Sequence, residues 1–365
     1  MSIQDFENIS HFICDYITKW AKEKPQDIAF IDAELGKYFS WQYFENNVNM
    51  IAMKLIEEGW EKGDIAVSML PFLPEHIFLE FACFKIGMIF TPLDLRLKRD
   101  EVIRSLSLLQ SARRIMFIHP DDTDSEDRSG KKIHYEFKQI GRALRKTYPK
   151  MKDFIQVSAQ EDCDPKTKSW LVFEKEAREK WAKYKSDEDM YQQKMKKIQE
   201  IAQKVLDTDP VFIIYTTGTT GFPKPAMLTN QGITAQNLCL IKGFGIQPTD
   251  RMLVNLPPSH VGGQTEQLMT SIMAGVPAIL LHVFKADNSL KAIHQYKVTA
   301  LGQIPSLFVM EWRLPNYKEY DLSSLRFALY GGQSVSLPFL QKLSKMAKYY
   351  GSGLGLTEMT GFCTY

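Results

Sequence analysis

Short β-prone runs alternate with longer amphipathic helical patterns along this chain, and that alternation restricts the folds it can adopt. Apolar runs at 65–70, 115–118 and 211–215 read as buried strands, and neighbouring segments place apolar residues at three-to-four spacing. Strands that alternate with helices of about 10–15 residues are joined by right-handed crossovers in a mostly parallel sheet. Because the alternation resumes after Pro210, the sequence predicts an α/β protein with two doubly wound, mixed-to-parallel sheet lobes flanked by helices.

A stretch between the two series of strands has a different composition. Residues 121–130 are polar and rich in turn formers, and residues 174–205 are dense in Lys and Glu with sparse apolar positions at helical spacing. The second segment predicts an exposed amphipathic helical insertion, and a solvated helical face is favoured over a membrane or partner surface. The predicted organisation is therefore a first α/β lobe at 1–120, a loop and Lys/Glu-rich helical insertion at 121–209, and a second α/β lobe at 210–365.

Composition excludes several classes of protein. The 365 residues are 44% apolar and 24% charged, as in an ordinary soluble globular protein. Lys and Arg number 45 against 43 Asp and Glu, so the net charge of +2 gives no reason to expect a nucleic-acid partner. The longest apolar stretch, 77–93, is interrupted by Glu80 and Lys85, so no integral membrane segment is expected.

The cysteines and the first residues bear on location. No basic segment followed by an apolar one begins the chain, so no secretory signal is expected. The five cysteines are scattered without a C-x-x-C pair, which argues against a zinc ribbon and fits a reducing compartment. They are Cys14, Cys83, Cys163, Cys239 and Cys363. The predicted location is cytoplasmic.

The segment most informative about chemistry is YTTGTTGFPKPAMLTN at 215–230, directly after a predicted strand. Glycines allow the backbone N–H groups to turn onto an anion, while hydroxyls and the Lys224 ammonium add donors and positive charge. The segment is not the P-loop of kinases and GTPases, which requires G-x-x-x-x-G-K-[ST]. Here Lys224 follows Gly221 by three residues, and Pro225 stands where that pattern has Ser or Thr. The loop predicts a polyphosphate site of another kind.

Five further segments accompany this loop, and together they resemble the adenylate-forming superfamily, which includes acyl- and aryl-CoA synthetases, adenylation domains and luciferases. They occur in the family's order and extend the resemblance over nearly the whole chain, with 121–209 the weakest part. They are FSWQYF at 39–44, LPFLPE at 70–75 with FKIGMIFTPLD at 84–94, LPPSHVGG at 256–263, LRFALYGGQ at 325–333 and GLGLTE at 353–358.

The resemblance implies a set of nucleotide-binding residues. The residues expected to hold the β- and γ-phosphates are Thr216, Thr217, Gly218, Thr219, Thr220, Gly221 and Lys224. Thr357 is expected to contact the α-phosphate, and Glu358 to bind Mg²⁺, a cation that prefers carboxylate and phosphate oxygens. The adenine slot is expected to be lined by Gly331, Gly332 and Gln333.

The resemblance also implies where the acid lies. His260 is expected between the nucleotide and the acid, and Gly262, Gly263 and Gly353 are expected to face the acid. Thr357, Glu358, Lys224 and His260 form the expected catalytic set. Glu266 and His282 lie outside any such motif and are expected to be structural.

The implied chemistry uses ATP, Mg²⁺ and coenzyme A in two steps. A carboxylate attacks the α-phosphate of ATP to give an acyl-adenylate and pyrophosphate, and a thiol then attacks the acyl carbon. Because two anions must meet, the protein is expected to supply positive potential and positioning. The thiol can belong to coenzyme A or to a carrier protein.

The sequence departs from the family's pattern in several places. Leu354 stands where an aromatic residue usually meets the adenine, which predicts weaker stacking. Family members continue beyond the position of Tyr365 through the rest of a small β-barrel and a mobile C-terminal domain. The chain is therefore expected to be a large-domain portion with a partial barrel, weakly active or inactive alone, and able to self-associate through exposed apolar surface.

The sequence is compatible with two other functions. A nucleotide- or acyl-adenylate-binding module without turnover would show binding but no ATP–pyrophosphate exchange. An unrelated kinase would release ADP, although the missing P-loop pattern argues against it. Residues 260–273 and 302–308, where the acid is expected to bind, mix apolar side chains without an evident buried charge. That composition favours an aliphatic or aromatic monocarboxylate over an amino acid.

Overall fold

The computed structural model describes residues 3–109, 114–118, 122–126, 132–135, 137–148, 151–158, 160–216 and 223–365. The α-helices within these ranges are α1 (Ile3–Glu7), α2 (Ile13–Glu23), α3 (Trp41–Glu57), α4 (Pro74–Lys85), α5 (Arg99–Ser107), α6 (Phe137–Thr147), α7 (Trp170–Lys185), α8 (Glu188–Ala202), α9 (Asn230–Gly243), α10 (Thr270–Ala274), α11 (Ala286–Tyr296), α12 (Pro305–Trp312) and α13 (Leu337–Leu343). A π-helical segment, Gly262–Met269, leads into α10, and short 3₁₀ turns lie at Gln160–Asp162, Tyr317–Glu319 and Thr357–Met359.

The strands in the same ranges form two large sheets and one hairpin. They are β1 (Ile28–Asp32), β2 (Lys37–Ser40), β3 (Ile65–Met69), β4 (Ile89–Pro92), β5 (Arg114–Ile118), β6 (Asp122–Glu126), β7 (Lys132–Tyr135), β8 (Met151–Gln156), β9 (Lys168–Ser169), β10 (Pro210–Thr216), β11 (Lys224–Thr229), β12 (Met252–Val254), β13 (Ala278–Leu280), β14 (Ala300–Gln303), β15 (Phe327–Gly331), β16 (Tyr349–Leu356) and β17 (Gly361–Thr364). The predicted architecture of two mixed sheets flanked by helices is confirmed, and neither sheet closes into a barrel among the described residues.

Contacts divide the chain into two compact units. The first unit comprises residues 1–45 and 228–365, and the second comprises residues 46–227. The sequence predicts boundaries near 120 and 209 instead. The positions differ because β1 and β2 join the sheet of the later strands, where Phe30 pairs in parallel with Ala278, nearly 250 residues away.

The first unit is built on an eight-stranded sheet in the order β17-β16-β15-β14-β12-β13-β1-β2. Its inner strands are parallel, while the β1–β2 hairpin and the β16–β17 pair are antiparallel. The main core packs the apolar faces of α11 and α12 against this sheet, with Leu290, Ile293, Leu301 and Phe308 essentially fully buried. The parallel strands therefore present their carboxyl ends along one edge.

The second unit is built on a seven-stranded sheet in the order β11-β10-β4-β3-β5-β8-β9. All five residues of β3 are buried, as expected for a central strand that is covered on both faces. Helix α4 begins at Pro74, which suits the first helical turn, and it is apolar around most of its surface because it is buried.

The Lys/Glu-rich segment forms the helices α7 and α8 of this second unit. Ser169 caps α7 by accepting a hydrogen bond from the Leu171 N–H, and Asp187 caps α8 in the same way from Met190. The apolar positions of α7 are packed inside the unit, where Trp170, Phe173 and Trp181 are at most 4% exposed. The helical prediction for this segment is confirmed, and its apolar face is covered by the protein itself.

Candidate nucleotide and acid site

In the sequence, the predicted phosphate loop is flanked by two strands that are neighbours in the seven-stranded sheet. Strand β10 ends at Thr216, and β11 begins at Lys224, whose side chain is exposed. Five of the predicted loop residues fall outside the described residues: Thr217, Gly218, Thr219, Thr220 and Gly221. The end of β10 is held by the Tyr215 hydroxyl, which donates to the Ser105 carbonyl over 2.5 Å.

The predicted adenine-binding residues lie at the carboxyl end of β15 in the first unit. Gly331 ends this strand and pairs in parallel with Gly353 of β16. Gly332 follows with φ of +85°, in the left-handed region that favours glycine, and exposed Gln333 comes next. The structure thus brings Gly331 and Gly353 side by side, at the edge of a parallel sheet where ligands commonly bind.

The predicted α-phosphate and metal residues occupy a 3₁₀ turn directly after β16. Thr357 is partly exposed and Glu358 is exposed, and the Thr360 N–H closes the turn on the Thr357 carbonyl over 2.9 Å. Thr360 has φ of +68°, and its carbonyl accepts a hydrogen bond from the Thr265 hydroxyl. An exposed carboxylate at the end of a fixed turn fits a Mg²⁺ ligand, since Mg²⁺ binds proteins through one or two carboxylates.

Leu354 lies on the other face of the sheet from Gly353. Alternate residues of a strand point to opposite faces, and the Leu354 side chain is 66% exposed. It therefore presents an aliphatic surface to solvent at the position where the family resemblance implies an aromatic one.

His260 lies in the turn just before the π-helical segment. Its side chain is exposed, and its Nδ1 accepts a hydrogen bond from the Gly262 N–H over 3.0 Å. This hydrogen bond orients the ring and places the proton of the neutral imidazole on Nε2, where it can be donated.

A chain of hydrogen-bonded, buried amide and carboxyl groups starts at Gln267 in the π-helical segment. Gln267 donates to Asn255 over 3.1 Å, Asn255 donates to Gln303 over 2.7 Å, and Gln303 donates to Glu311 over 2.7 Å. Ser289 donates to the other Glu311 oxygen over 2.6 Å. Burial raises the pKa of Glu311 to about 7, although both hydrogen bonds favour the charged form. The network ties the ends of β12 and β14 to the π-helical segment.

Glu266 is a polar residue of this region that sequence reasoning treated as structural. Burial raises the pKa of its carboxyl to about 7, and the Phe362 backbone N–H donates to it. A methyl group at Gly361 would lie 2.6 Å from Glu266 Oε1 and 2.9 Å from Gln236 Nε2, so both polar groups surround this glycine. Residues 260–273 therefore hold a partly buried titratable carboxyl, which the expectation of a stretch without an evident buried charge did not take into account. The sequence feature that could have pointed to this group is Glu266 itself, a carboxyl residue in the same apolar stretch as His260.

The three glycines expected to face the acid have their open sides filled by protein atoms. A methyl group at Gly262 would meet Leu256 Cδ1 at 2.7 Å, and one at Gly263 would meet the Leu256 carbonyl oxygen at 2.5 Å. The corresponding group at Gly353 would meet Phe362 Cδ1 at 2.5 Å. Gly263 is thus required for close backbone packing, whatever its role toward a ligand.

The described part of the chain has neither a cluster of metal-ligating side chains nor a helix suited to span a membrane. Among those residues no three His, Cys, Asp or Glu side chains lie close enough together to hold a metal ion. No helix in the same ranges combines the length and apolar character needed to cross a bilayer.

The fold and these motifs define a class of protein, and comparison with known families identifies it. The model of the family described as AMP-binding enzyme matches residues 17–365, so the chain belongs to this family. The predicted resemblance to adenylate-forming enzymes is confirmed.

Particular relatives agree with this placement. The chain is 24% identical over 296 residues to YngI of Bacillus subtilis (strain 168), covering 80% of this chain and 51% of that protein. It is 32% identical over 147 residues to an indoleacetate–CoA ligase of Aromatoleum aromaticum, covering 39% of this chain and 29% of that enzyme. The chain thus spans about half the length of YngI.

A solved structure has a similar fold. The inhibitor-bound N-terminal domain of FACL13 from Mycobacterium tuberculosis matches with a TM-score of 0.72 and 19% identity, over 95% of this chain and 76% of that one. At this level of identity the likeness concerns the fold.

Proposed function

We propose that this chain is the large-domain portion of an ATP-dependent, AMP-forming acyl- or aryl-CoA synthetase. In this proposal the enzyme activates a carboxylic acid as an acyl-adenylate and passes the acyl group to coenzyme A. The observation that carries the proposal is the parallel pairing of β15 with β16. It places the Gly-Gly-Gln turn beside Gly353 and leads directly into the Thr357–Glu358 turn.

Each candidate residue has a role that its position supports. Lys224, exposed at the start of β11, neutralises phosphate charge together with the loop at 216–221. Gly331, Gly332 and Gln333 contact the adenine, and Leu354 lies close by. The hydroxyl of Thr357 donates to the α-phosphate.

His260 is proposed to donate from Nε2 to an oxygen at the reacting carboxylate, because Nδ1 is occupied by the Gly262 N–H. Glu358 is proposed to hold Mg²⁺, which supplies positive charge to the phosphates when bound. The protein's contribution to catalysis is thus positioning and electrostatic stabilisation, with no covalent enzyme intermediate.

Location and assembly follow as further parts of the proposal. Widely scattered cysteines support a reducing, cytoplasmic compartment. Leu354, Leu356 and Met359 are each more than half exposed near the end of the first-unit sheet, which supports self-association through this surface. A monodisperse monomer over a broad concentration range in light scattering would contradict the self-association.

Calorimetric titration with Mg·ATP, and separately with a non-hydrolysable acyl-adenylate mimic, tests the binding part. We expect Lys224→Ala and Glu358→Ala to weaken binding of Mg·ATP by about 10–100-fold, since hydrogen bonds to charged groups contribute roughly 1.5–3 kcal/mol. Lys183→Ala and Glu319→Ala, which remove exposed charges of the same types elsewhere, serve as matched controls. Equal effects in test and control variants would reject the assignment of Lys224 and Glu358.

ATP–pyrophosphate exchange in the full-length protein tests the catalytic part. Exchange that depends on an added carboxylic acid supports the synthetase. Binding of the mimic without any exchange would favour a non-catalytic acyl-adenylate-binding module, and release of ADP would indicate a phosphotransferase.

A further inference from the structure

The side chain of Phe362 lies against two glycines of the first-unit sheet, Gly331 and Gly353. Gly331 pairs with Gly353 across β15 and β16, and Gly355 pairs with Phe362 across β16 and β17. Cross-strand partners and alternate residues of one strand share a face. Gly331 and Gly353 therefore share a face, opposite to that of Leu354, and the Phe362 ring lies on that face because it approaches both glycines. Gly355 follows an irregularity in the β16–β17 pairing, and a methyl group there would meet the Gly361 backbone instead of the ring.

The Phe362 ring rests directly on two of these glycines. A methyl group at Gly353 would lie 2.5 Å from Phe362 Cδ1 and 2.7 Å from Cε1, and one at Gly331 would lie 3.0 Å from Cε1. The ring thus fills the space that the missing side chains leave open. An aromatic ring across strand glycines also restores packing, so a purely structural role is the alternative to be tested.

The backbone that carries the ring is fixed by the π-helical segment. The Glu266 carboxylate accepts the Phe362 N–H, and the Thr265 hydroxyl donates to the carbonyl of Thr360. Gly361 between them has φ of +137°, a conformation that side chains disfavour, and it contacts Glu266 closely. Because two consecutive residues hold this turn, the ring cannot move aside by a simple shift of β17.

We propose that Phe362 determines substrate specificity by limiting the acid to one with a small acyl group. This inference rests on the proposed function, in which Gly331 borders the adenine and Gly353 borders the acid. A bulky acyl group would have to displace the ring from both glycines. Overpacking a filled site is costly, and we expect discrimination of about 10–100-fold between small and large acyl groups.

Titration with a series of acylsulfamoyl adenosines tests the inference. The probes carry acetyl, butanoyl or octanoyl groups, and sulfamoyl adenosine without an acyl group reports on the nucleotide alone. We expect the natural chain to bind the acetyl probe most tightly and the octanoyl probe most weakly. Phe362→Ala should bind the octanoyl probe about 10–100-fold more tightly than the natural chain, with little change for sulfamoyl adenosine.

Two further variants separate a specificity role from a structural one. Tyr349→Ala removes an exposed aromatic from the same strand as Gly353 and should keep the natural chain-length profile. Phe362→Leu keeps apolar packing but shortens the side chain, so it should give an intermediate profile even if the alanine variant folds poorly.

The possible results are distinct. An unchanged chain-length profile in both Phe362 variants, or an equal change for all four probes, would mean that the ring only stabilises the sheet and would overturn the inference. In that case binding of sulfamoyl adenosine would still support the proposed function. Failure of every probe to bind the natural chain would overturn the proposed function and the inference with it.

Discussion

Two carboxyl groups of the first unit, Glu266 and Glu311, and one of the second unit, Glu57, have pKa values shifted in opposite directions. In the first unit, burial raises the pKa of Glu266 and of Glu311 to about 7. In the second unit, burial also opposes ionisation of Glu57, but hydrogen bonds from Tyr184, Lys194 and Lys180 outweigh it and lower its pKa to about 2. The same side chain is therefore biased toward the neutral acid at Glu266 and Glu311 and toward the carboxylate at Glu57. Burial also opposes ionisation of Asp32 and Asp250 in the first unit, but hydrogen bonds from His282 and Arg326 help to lower their pKa values, so the direction depends on the partner and not on the unit.

The pKa shifts of Glu311 and Glu57 differ in direction because different groups hydrogen-bond to the carboxyls. Glu311 is hydrogen-bonded by the uncharged Ser289 and Gln303, so no nearby cation compensates for its lost hydration. Glu57 receives ammonium groups from α7 and α8, with Lys180 and Lys194 each 3.0 Å away. The Lys/Glu-rich composition of these two helices thus serves to attach them to α3. Glu266 and Glu311, by contrast, lie in or next to the network that holds the π-helical segment of the candidate site, and perturbed pKa values are common at functional sites.

The largest expected effect comes from breaking the buried network of the first unit with Gln303→Leu. This change leaves Glu311 and Asn255 without their buried partner, and unsatisfied buried groups each cost roughly 1–3 kcal/mol, so we expect a loss of about 3 kcal/mol. Hydrogen exchange of peptides covering α12 and α7 would measure the opening free energies of the two units.

The matched control for this change is Gln341→Leu, which alters an exposed glutamine of α13 in the same unit. It should change the opening free energy of α12 by less than about 0.5 kcal/mol. If Gln303→Leu reduces protection in α7 as much as in α12, the two units unfold together. Their stabilities could then not be compared separately.

A second prediction concerns the pH dependence of stability. The pKa of Glu311 is higher in the folded chain, at about 7, than its ordinary value of 4.5, so its contribution is fully present below pH 4.5 and disappears as the pH rises through 7. We expect the opening free energy of α12 to fall by about 2 kcal/mol between pH 5 and pH 7. Glu57, whose pKa is lowered to about 2, should leave the opening free energy of α7 nearly independent of pH between pH 5 and pH 7.

Glu311→Gln is the variant that isolates this dependence, because glutamine keeps hydrogen bonding without titrating. Exchange rates corrected for the intrinsic effect of pH should show a flatter profile for α12 in this variant. A slope as steep as that of the natural chain would assign the pH dependence to another group, with Glu266 the next one to replace.

The smallest expected effect is the loss of the ion pairs in the second unit. Glu57→Gln removes the charge that Lys180 and Lys194 share, and we expect a loss of about 1 kcal/mol in α7 that shrinks at high salt. Glu200→Gln on the exposed face of α8, where the Lys196 ammonium is 3.9 Å away, should have a negligible effect. Equal effects of the two variants would mean that Glu57 does not anchor these helices.

Much of the fold was predictable because it depends on local patterns. The strands at 65–69 and 211–215 and the helices of the Lys/Glu-rich segment all occur where periodicity places them. The motif order also identified the family, which the match over residues 17–365 confirms. These features could be predicted because each is encoded within a few neighbouring residues.

The sequence by itself thus determined the class of fold, the family and the candidate residues near the ends of β15 and β16. Only the tertiary structure decided which sheet β1 joins, because pairing of Phe30 with Ala278 is non-local and leaves no local signature. It also decided that Glu266 lies partly buried beside Gly361 and that Phe362 covers Gly331 and Gly353. Burial and close contact are properties of the packed chain, so the protonation of a carboxyl and the space left beside a glycine emerge only when distant segments meet.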